Sequence, residues 1–425
     1  DTCRRQRQMC IRDRFKRMNF KSSLYILIAF LFFTQIVSTQ NIIVEGSVVD
    51  EFDYEVPFAA VGILKKNIGT TSTMEGTFSF LVTKNELNDV LEISSIGFET
   101  IKINVQDFIN RKDKKIILKE KLTALDEVVV KAPINYINQA IKSLKINTIS
   151  KSHQLNILYR RWDVEENKCR FFIEHFIKAI DQGPNSNIVR ASVENIRKSS
   201  DYRFVKNQSQ FHPLRYTEWS NPLRKGVRTK SYNWKKIGNS SYDGEDVLIF
   251  EGIDKENAKI TMYIGYESFK IYRLEYERDP KVGKYANSIW IYKKNSVGKL
   301  YLSYMTREWV GARRLPENVK KTMISSGQKV KEFYPVSFRH ELFVTKLIED
   351  KSKFDSFYDM EQKDMSLYKV PYNKFFWENF SVPPETKVYK DNIKELESLY
   401  GVPIQTQFLY SCLLYTSDAA DDRYR

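Results

Sequence analysis

Cysteine and histidine are scarce in this chain, and glycine and proline are modest. The 425 residues include 4 cysteines, 4 histidines, 16 glycines and 12 prolines. Three of the cysteines lie near the ends, which leaves Cys169 alone in the body of the chain. One cysteine cannot form an internal disulfide, a zinc cluster or a redox pair. We therefore predict that Cys169 is a small buried hydrophobe in the segment KCRFFIEHF.

The two ends of the chain are related at the level of DNA. One DNA string encodes residues 412–421, and its reverse complement, read in another frame, encodes residues 4–13. The string resembles a sequencing-library adapter, so we expect residues 1–17 and 412–425 to be artefacts outside the fold. The alternative is a basic arm and an acidic tail that bind partners. The ends carry nine of the 68 basic and five of the 53 acidic residues, so without them the net charge falls from +15 to +11.

Familiar catalytic motifs are also missing. The histidines open the runs HQLN, HFIK, HPLR and HELF, which do not fit HxxE or HExxH, at His153, His175, His212 and His340. The sequence has no GxSxG elbow, glycine-rich phosphate loop or GxGxxG. We predict no catalytic, cofactor-binding or metal-binding residues, and we expect His175 to pack in a core or at its rim. A pair of acids for glycoside hydrolysis stays open, because such pairs meet only in the fold; examples of available carboxylates are Asp243, Glu245 and Asp246.

Residues 18–40 have the pattern of a signal peptide. Lys21 precedes the apolar run from Leu24 to Val37, and Ser38 and Thr39 follow it. Alternatives are a retained anchor or a buried helix. No cysteine follows for lipid attachment, and no other run approaches the ~20 apolar residues of a membrane span. We expect an exported, periplasmic or outer-membrane-associated protein, cleaved after Thr39 or Gln40. Its partner would be an envelope protein, a glycan or a lipid, with peripheral membrane contact open, and not nucleic acid.

Residues 41–132 contain short alternating segments separated by turn residues. They predict about seven strands of a sandwich or barrel. GTTSTMEGTFSFLV is typical of a hairpin that turns at Met74–Gly76, and VLEISSIGFETIKINV of a strand pair broken at Gly97. We expect a positive φ at Gly76 and Gly97.

Several motifs in this region resemble one family. They are Val44-x-Gly46-x-Val48, Pro57-Phe58-Ala59, Gly76-x-Phe78, Ile96-Gly97-Phe98 and the closing LDEVVV. The region is similar to the carboxypeptidase-regulatory-like domain of Bacteroidetes-type envelope proteins. The resemblance implies a transthyretin-like, seven-stranded β-sandwich without catalytic residues, so the family name implies no peptidase activity. In TonB-dependent receptors this domain precedes a plug, but no glycine-rich plug follows here.

The remainder predicts a helix followed by long antiparallel strands. Ile134, Ile137, Ala140, Ile141 and Leu144 share one face of a linking helix within residues 133–150. Residues 151–411 alternate as hairpins that turn near residues 165–167, 265–268 and 295–298, with a further turn at GNSSYDG. This antiparallel β domain loosely resembles the half-barrel of bacterial lipoprotein carriers; an unspecified sheet is the alternative.

Two kinds of segment could form a surface or a groove. The run RKDKK, residues 111–115, is typical of a solvated loop, and a functional basic patch is the alternative. The aromatic segments YIGYESFKIYRLEY and FFWENF could line a ligand groove, but aromatic residues in strands more often fill a core.

The sequence as a whole predicts a mainly β, non-catalytic exported envelope protein with a binding or scaffolding role. Alternatives are a hydrolase with an accessory domain, or a fragment of a TonB-dependent transport system. A deep cavity would favour binding. Two acids, or a histidine and an acid, with raised pKa values at its base would contradict the non-catalytic prediction.

Overall fold

The structure is a computed structural model, which describes residues 41–121, 132–184, 186, 188–206, 209–278, 285–356, 358–399 and 401–411. The predictions for residues 1–17, 18–40 and 412–425, and for the segment LDEVVV, lie outside these residues. These described residues belong to one compact unit.

The N-terminal region is a β-sandwich of seven strands. They are β1 (Ile42–Val49), β2 (Ala60–Ile63), β3 (Ile68–Thr71), β4 (Thr77–Val82), β5 (Val90–Ser94), β6 (Ile101–Asn104) and β7 (Lys115–Ile117). One sheet has the order β4-β1-β7, and the other contains the row β3-β2-β5-β6. Alternating side chains such as Val44, Phe78 and Ile93 fill the core between the sheets. The predicted seven-stranded sandwich is confirmed.

One local prediction in this region is wrong. The turn near Met74–Gly76 forms, with Thr73 N donating to Thr77 O at 2.8 Å and Gly76 at φ +68°. However, β3 pairs with β2 whereas β4 pairs with β1, so this turn connects the two sheets and is not a hairpin. Turn residues specify a reversal, not the sheet that each strand joins. The predicted strand pair forms as β5 and β6, and Val105 at its end begins a helix, α1 (Val105–Asn110), which is capped by Asn104.

The second region is an antiparallel sheet of ten long strands. They are β8 (His153–Glu165), β9 (Lys168–Asp181), β10 (Arg190–Lys198), β11 (Tyr232–Tyr242), β12 (Glu245–Asp254), β13 (Ala258–Gly265), β14 (Ile271–Arg278), β15 (Tyr285–Lys294), β16 (Leu300–Arg314) and β17 (Phe333–Ile348). Their order is β10-β9-β8-β17-β16-β15-β14-β13-β12-β11. The three predicted hairpin turns are confirmed. GNSSYDG is not a turn throughout, because β11 continues to Tyr242 and the chain reverses at Asp243–Gly244, where both residues have positive φ.

One face of this sheet is covered by the predicted helix, α2 (Pro133–Asn147), and we call it the helix face. Ile137, Ala140 and Leu144 of α2 pack in one core with Leu155 and Ile157 of β8. The other α-helices are α3 (Tyr216–Trp219), α4 (Pro222–Lys225), α5 (Glu317–Ser325), α6 (Lys374–Asn379), α7 (Lys387–Ser398) and α8 (residues 404–411). Short 3₁₀ turns occur at Leu64–Lys66, Lys84–Glu86, Pro213–Arg215, Thr229–Ser231, Lys351–Lys353 and Met365–Leu367.

The opposite face contacts the N-terminal sandwich, and we call it the sandwich face. Phe58 of the sandwich packs with Leu158 and Phe176 of the long strands. Lys346 of β17 also pairs with Ile68 of β3, so the two regions share hydrogen-bonded strands. Trp377 from FFWENF is buried in the same core, on helix α6 and not on a hairpin. The burial of Trp377 fits the interpretation that this aromatic segment fills a core.

Candidate functional site

The candidate site begins with two neighbouring arginines in β8. Successive side chains of a strand point to opposite faces, so Arg160 lies on the sandwich face and Arg161 on the helix face. Arg161 is 3% exposed. It stands opposite His340 of β17, which in turn stands opposite Arg307 of β16. The pairing of three strands therefore places one histidine between two arginines.

His340 is neutral in this position. Burial lowers its pKa well below the usual value, and the positive charges of Arg161 and Arg307 lower it further. Its Nδ1 atom is buried and has no hydrogen-bond partner within the described residues. The ring of Tyr216 meets the His340 ring edge-on, with centroids 5.4 Å apart. A buried polar atom without a partner carries an energetic cost, which a bound group could relieve.

Asp364 neutralises Arg161. The Arg161 guanidinium donates to both Asp364 oxygens, at 2.9 and 3.1 Å, and its Nε lies 2.9 Å from Asp163 Oδ1. Asp364 also accepts from the backbone N and the Oγ of Ser366. Burial acts to raise the pKa of Asp364, but Arg161 and these hydrogen bonds outweigh it and hold the pKa below its usual range. Asp364 is therefore an ionised structural partner.

A cavity of about 160 Å³ lies beside this group, and we call it the arginine cavity. Arg307 lies over the ring of Tyr216 at 4.1 Å, and Arg313 over Trp309 at 4.9 Å. Neither Arg307 nor Arg313 forms an ion pair within the part of the chain that the structure describes. The lining consists of Arg161, Ser209, Pro213, Tyr216, Arg307, Trp309, Arg313, Phe338, His340 and Asp364.

The chemistry of the arginine cavity suits an anion. Its lining carries three arginines against one carboxylate, and that carboxylate is already bonded to Arg161. Guanidinium groups bind carboxylate and phosphate through paired N–H donors. Stacking on Tyr216 and Trp309 holds two of the guanidinium planes while leaving their N–H edges available. No group of three or more His, Cys, Asp or Glu side chains among the described residues could hold a metal ion.

His175 and His212 form a buried pair near the cavity. Leu214 N donates to His212 Nδ1 at 3.0 Å, so the proton of neutral His212 is on Nε2. That Nε2 lies 3.1 Å from His175 Nδ1, which therefore accepts. Burial lowers the pKa of His212 to about 3 and that of His175 well below its usual value. The prediction that His175 packs in a core agrees with its full burial, but the pairing of His175 with His212 was not predicted.

The other sequence candidates have separate structural positions. Cys169 is fully buried as predicted, and burial raises its pKa. Asp243 pairs with Lys294 at 2.7 Å, and Glu245 accepts from Tyr272 Oη at 2.6 Å. His153 is buried on β8, with Nε2 3.7 Å from Asp181.

The basic run RKDKK also has local roles. Lys114 Nζ donates to the carbonyls of Phe108 and Ile109 at the end of α1. Lys115 pairs with Asp53 at 2.7 Å. These contacts stabilise the turn between α1 and β7, so two of the four basic side chains of the run have local partners.

The arginine cavity was not predicted, although the sequence contains one signal for it. RRWD, residues 160–163, places three charged side chains inside a strand whose other residues are mostly buried. Charged side chains in a buried strand need partners. The sequence does not show that the partners come from Asp364 and from neighbouring strands.

Comparison with known proteins supports the N-terminal prediction. Residues 44–130 match the family model of the CarboxypepD_reg-like domain. The prediction of a carboxypeptidase-regulatory-like domain is thus confirmed for this part of the chain. No curated protein matches the chain. No helix among the described residues is long and apolar enough to cross a membrane.

Solved structures with some similarity cover about half of the chain. A LolA superfamily protein from Nitrosomonas europaea is 13% identical, covers 54% of this chain and 99% of its own, and has a TM-score of 0.20. A putative outer membrane lipoprotein-sorting protein domain from Vibrio parahaemolyticus is 9% identical, covers 51% of this chain and 93% of its own, and has a TM-score of 0.24. A DUF1329 family protein from Desulfovibrio piger is 10% identical, covers 54% of this chain and 98% of its own, and has a TM-score of 0.25. The function of this chain has to be argued from its own residues.

Proposed function

We propose that this protein is a non-catalytic binding protein of the cell envelope, whose arginine cavity holds an anionic group of the ligand. The observation that carries the proposal is the pairing pattern of the arginines. Arg161 is neutralised by Asp163 and Asp364, whereas Arg307 and Arg313 have no ion pair within the described residues. Two such cations at one cavity favour an external anion.

The lining supports binding and not acid–base catalysis. A general acid or base needs a pKa near the working pH and a free position next to the reacting atom. Asp364 has a lowered pKa and is engaged by Arg161 and Ser366, and His340 has a lowered pKa and no carboxylate hydrogen bond. Neither group meets the requirement, which supports a binding role for this cavity.

The ligand class follows from the shape and charge of the lining. Phosphate and carboxylate groups match the paired N–H donors of arginine. The signal-like residues 18–40 favour a periplasmic or outer-membrane-associated location, where anionic lipids and glycans supply such groups. An anionic lipid or glycan is therefore the proposed partner.

Calorimetric titration of the purified protein with inorganic phosphate, glucose 1-phosphate and dispersed dioctanoyl phosphatidic acid tests the proposal. We expect binding that weakens at least about tenfold in the double variant Arg307→Gln, Arg313→Gln, because each charge-assisted hydrogen bond contributes roughly 1.5–3 kcal/mol. A preference among the three probes distinguishes a free phosphate, a sugar phosphate and a lipid headgroup.

Arg314→Gln is the matched control. Arg314 follows Arg313 in β16, points to the other face, and its side chain is 76% exposed. Equal binding by the wild type and the double variant would contradict the proposal, as would absence of binding for all three probes. Mass spectrometry of small molecules that co-purify with the wild type, but not with the double variant, would identify the natural ligand.

A further inference from the structure

A second cavity lies where the N-terminal sandwich meets the long strands. It has a volume of about 50 Å³, and its wall from the sandwich includes Ala60, Val61 and Gly62 of β2. Tyr242 of β11, Lys293 of β15 and Tyr301 of β16 close the other side. The arginine cavity is lined by entirely different residues. This small cavity is therefore independent of the proposed anion site.

Lys293 is the unusual group in this cavity. The residue is 9% exposed, and its Nζ lies 5.6 Å from the centroid of the Tyr301 ring. It forms no ion pair within the residues that the structure describes. A buried ammonium group without a carboxylate partner is costly, because burial removes hydration that a ring contact replaces only in part.

The charged groups around Lys293 are engaged with other partners. Asp243 pairs with Lys294 at 2.7 Å, and Glu92 of β5 pairs with Lys102 at 3.1 Å. Tyr242 and Tyr301 contribute rings whose pKa values are raised by burial, so both phenols are neutral. Burial lowers the pKa of Lys293 to about 8. A substantial fraction of this amine is therefore unprotonated near neutral pH, unlike an ordinary lysine.

We propose that Lys293 is a nucleophilic amine that forms an imine with a small aldehyde entering this cavity. The amine nitrogen attacks the carbonyl carbon, and the carbonyl electron pair moves to oxygen. Proton transfer from nitrogen to oxygen gives a carbinolamine. Loss of water then forms the carbon–nitrogen double bond, so amine and aldehyde become imine and water without an oxidant or reductant.

The surroundings favour an aldehyde as the electrophile. A neutral imine removes a buried positive charge and needs no new counter-ion. An electrophile that gives an anionic product is disfavoured. Its negative charge would lie beside the carboxylates of Glu92 and Asp243, and the lysines paired with them are already engaged. The volume of about 50 Å³ restricts the aldehyde to a few heavy atoms.

Residue-level labelling of the wild-type protein tests this inference. The protein is treated briefly at pH 7.5 with acetaldehyde and cyanoborohydride, which reduces each imine to an ethylamine, and the peptides are quantified by mass spectrometry. We expect Lys293 to be ethylated at least about tenfold faster than its neighbour Lys294 and than the exposed Lys255, because its neutral fraction is larger. The rate at Lys293 should level off above pH about 8, while rates at exposed lysines keep rising.

Two variants complete the test. Lys293→Arg should abolish the fast site, and Lys294→Arg should retain it. Labelling of Lys293 at or below the rate of Lys255 in the folded wild type would overturn the proposal. A rate at Lys293 that keeps rising well above pH 8 would do the same.

Discussion

Arg160 and Arg161 are neighbours in one strand, yet their environments differ in one decisive respect. On the sandwich face, Arg160 pairs with Glu174 at 3.0 Å and lies between the rings of Phe343 and Tyr389. On the helix face, Arg161 is also paired, but the arginine cavity lies beside it and two further arginines have no ion pair within the described residues. Charge stabilises the fold on one face, and on the other face we propose that it binds an anion.

The sandwich-face network also joins the C-terminal part to the sheet. Glu174 binds Arg197 as well as Arg160, and Arg197 lies over Trp377 at 4.6 Å and Phe408 at 5.1 Å. Buried ion pairs often add little net stability, but removal of one partner is costly. The two faces should therefore respond differently to substitution.

The largest effect is expected for Glu174→Gln. The side chain is fully buried between two arginines, so its neutralisation removes the carboxylate partner of Arg197 and leaves Arg160 with only the more distant Glu341, at 3.7 Å. We expect the free energy of unfolding to fall by about 3–5 kcal/mol in urea titrations. Glu194→Gln is the control, because Glu194 is 3.9 Å from Lys178 and partly exposed, and it should cost less than about 1 kcal/mol. Equal stability of the two variants would show that the ion pairs of Glu174 do not stabilise the fold.

Asp364→Asn should have the next largest effect. It removes one of the two carboxylates that neutralise Arg161, and we expect a loss of about 2–3 kcal/mol at pH 7. The folded-state pKa of Asp364 is lowered, so its contribution is present above the unfolded-state pKa of about 4 and is lost as the pH falls below it. The difference between wild type and variant should therefore shrink below pH 4. A difference that stays constant with pH would contradict this assignment.

His340→Gln should change the slope of stability against pH. The pKa of His340 is lowered in the folded state, so the unfolded chain binds the proton more readily as the pH falls below about 6.5. The free energy of unfolding of the wild type should therefore decrease as the pH falls. His340 contributes up to about 1.4 kcal/mol per pH unit to this decrease. Thermal unfolding between pH 7 and pH 5 should show a smaller decline for the variant. An unchanged slope would mean that His340 is not buried as a neutral group.

The smallest effect on stability is expected for Arg307→Met. Its guanidinium stacks on Tyr216 but neutralises no carboxylate among the described residues. Its removal should therefore change the free energy of unfolding by about 1 kcal/mol or less, and we expect a small increase. Urea unfolding of Arg307→Met beside Arg314→Met measures this. A loss as large as that of Glu174→Gln would show that Arg307 is part of a cohesive network and not a binding group.

Local pattern predicted much of the fold. Period-two alternation and turn residues located the long hairpins, and the apolar spacing of Ile137, Ala140 and Leu144 located the buried face of α2. The motifs around Gly46, Gly76 and Gly97 identified the N-terminal sandwich. Prediction failed where the outcome depended on non-local pairing, as in the turn after β3, whose two strands enter different sheets.

The candidate site was less accessible from sequence. Arg161, Arg307, His340 and Asp364 are spread over about 200 residues, and they meet because the register of three strands and a distant loop brings them together. Lys293 was equally hidden, since its sequence neighbour Lys294 has the same chemistry. Which lysine acquires a carboxylate partner depends on where Asp243 lies.

The sequence by itself determined the mainly β architecture, the family of the N-terminal sandwich and the buried face of the linking helix, because these depend on periodicity and on residues close in the chain. Tertiary structure decided which charged residues are neutralised. The energy of a buried charge depends on the atoms within a few ångströms of it, and in this protein those atoms come from strands and loops far apart in sequence.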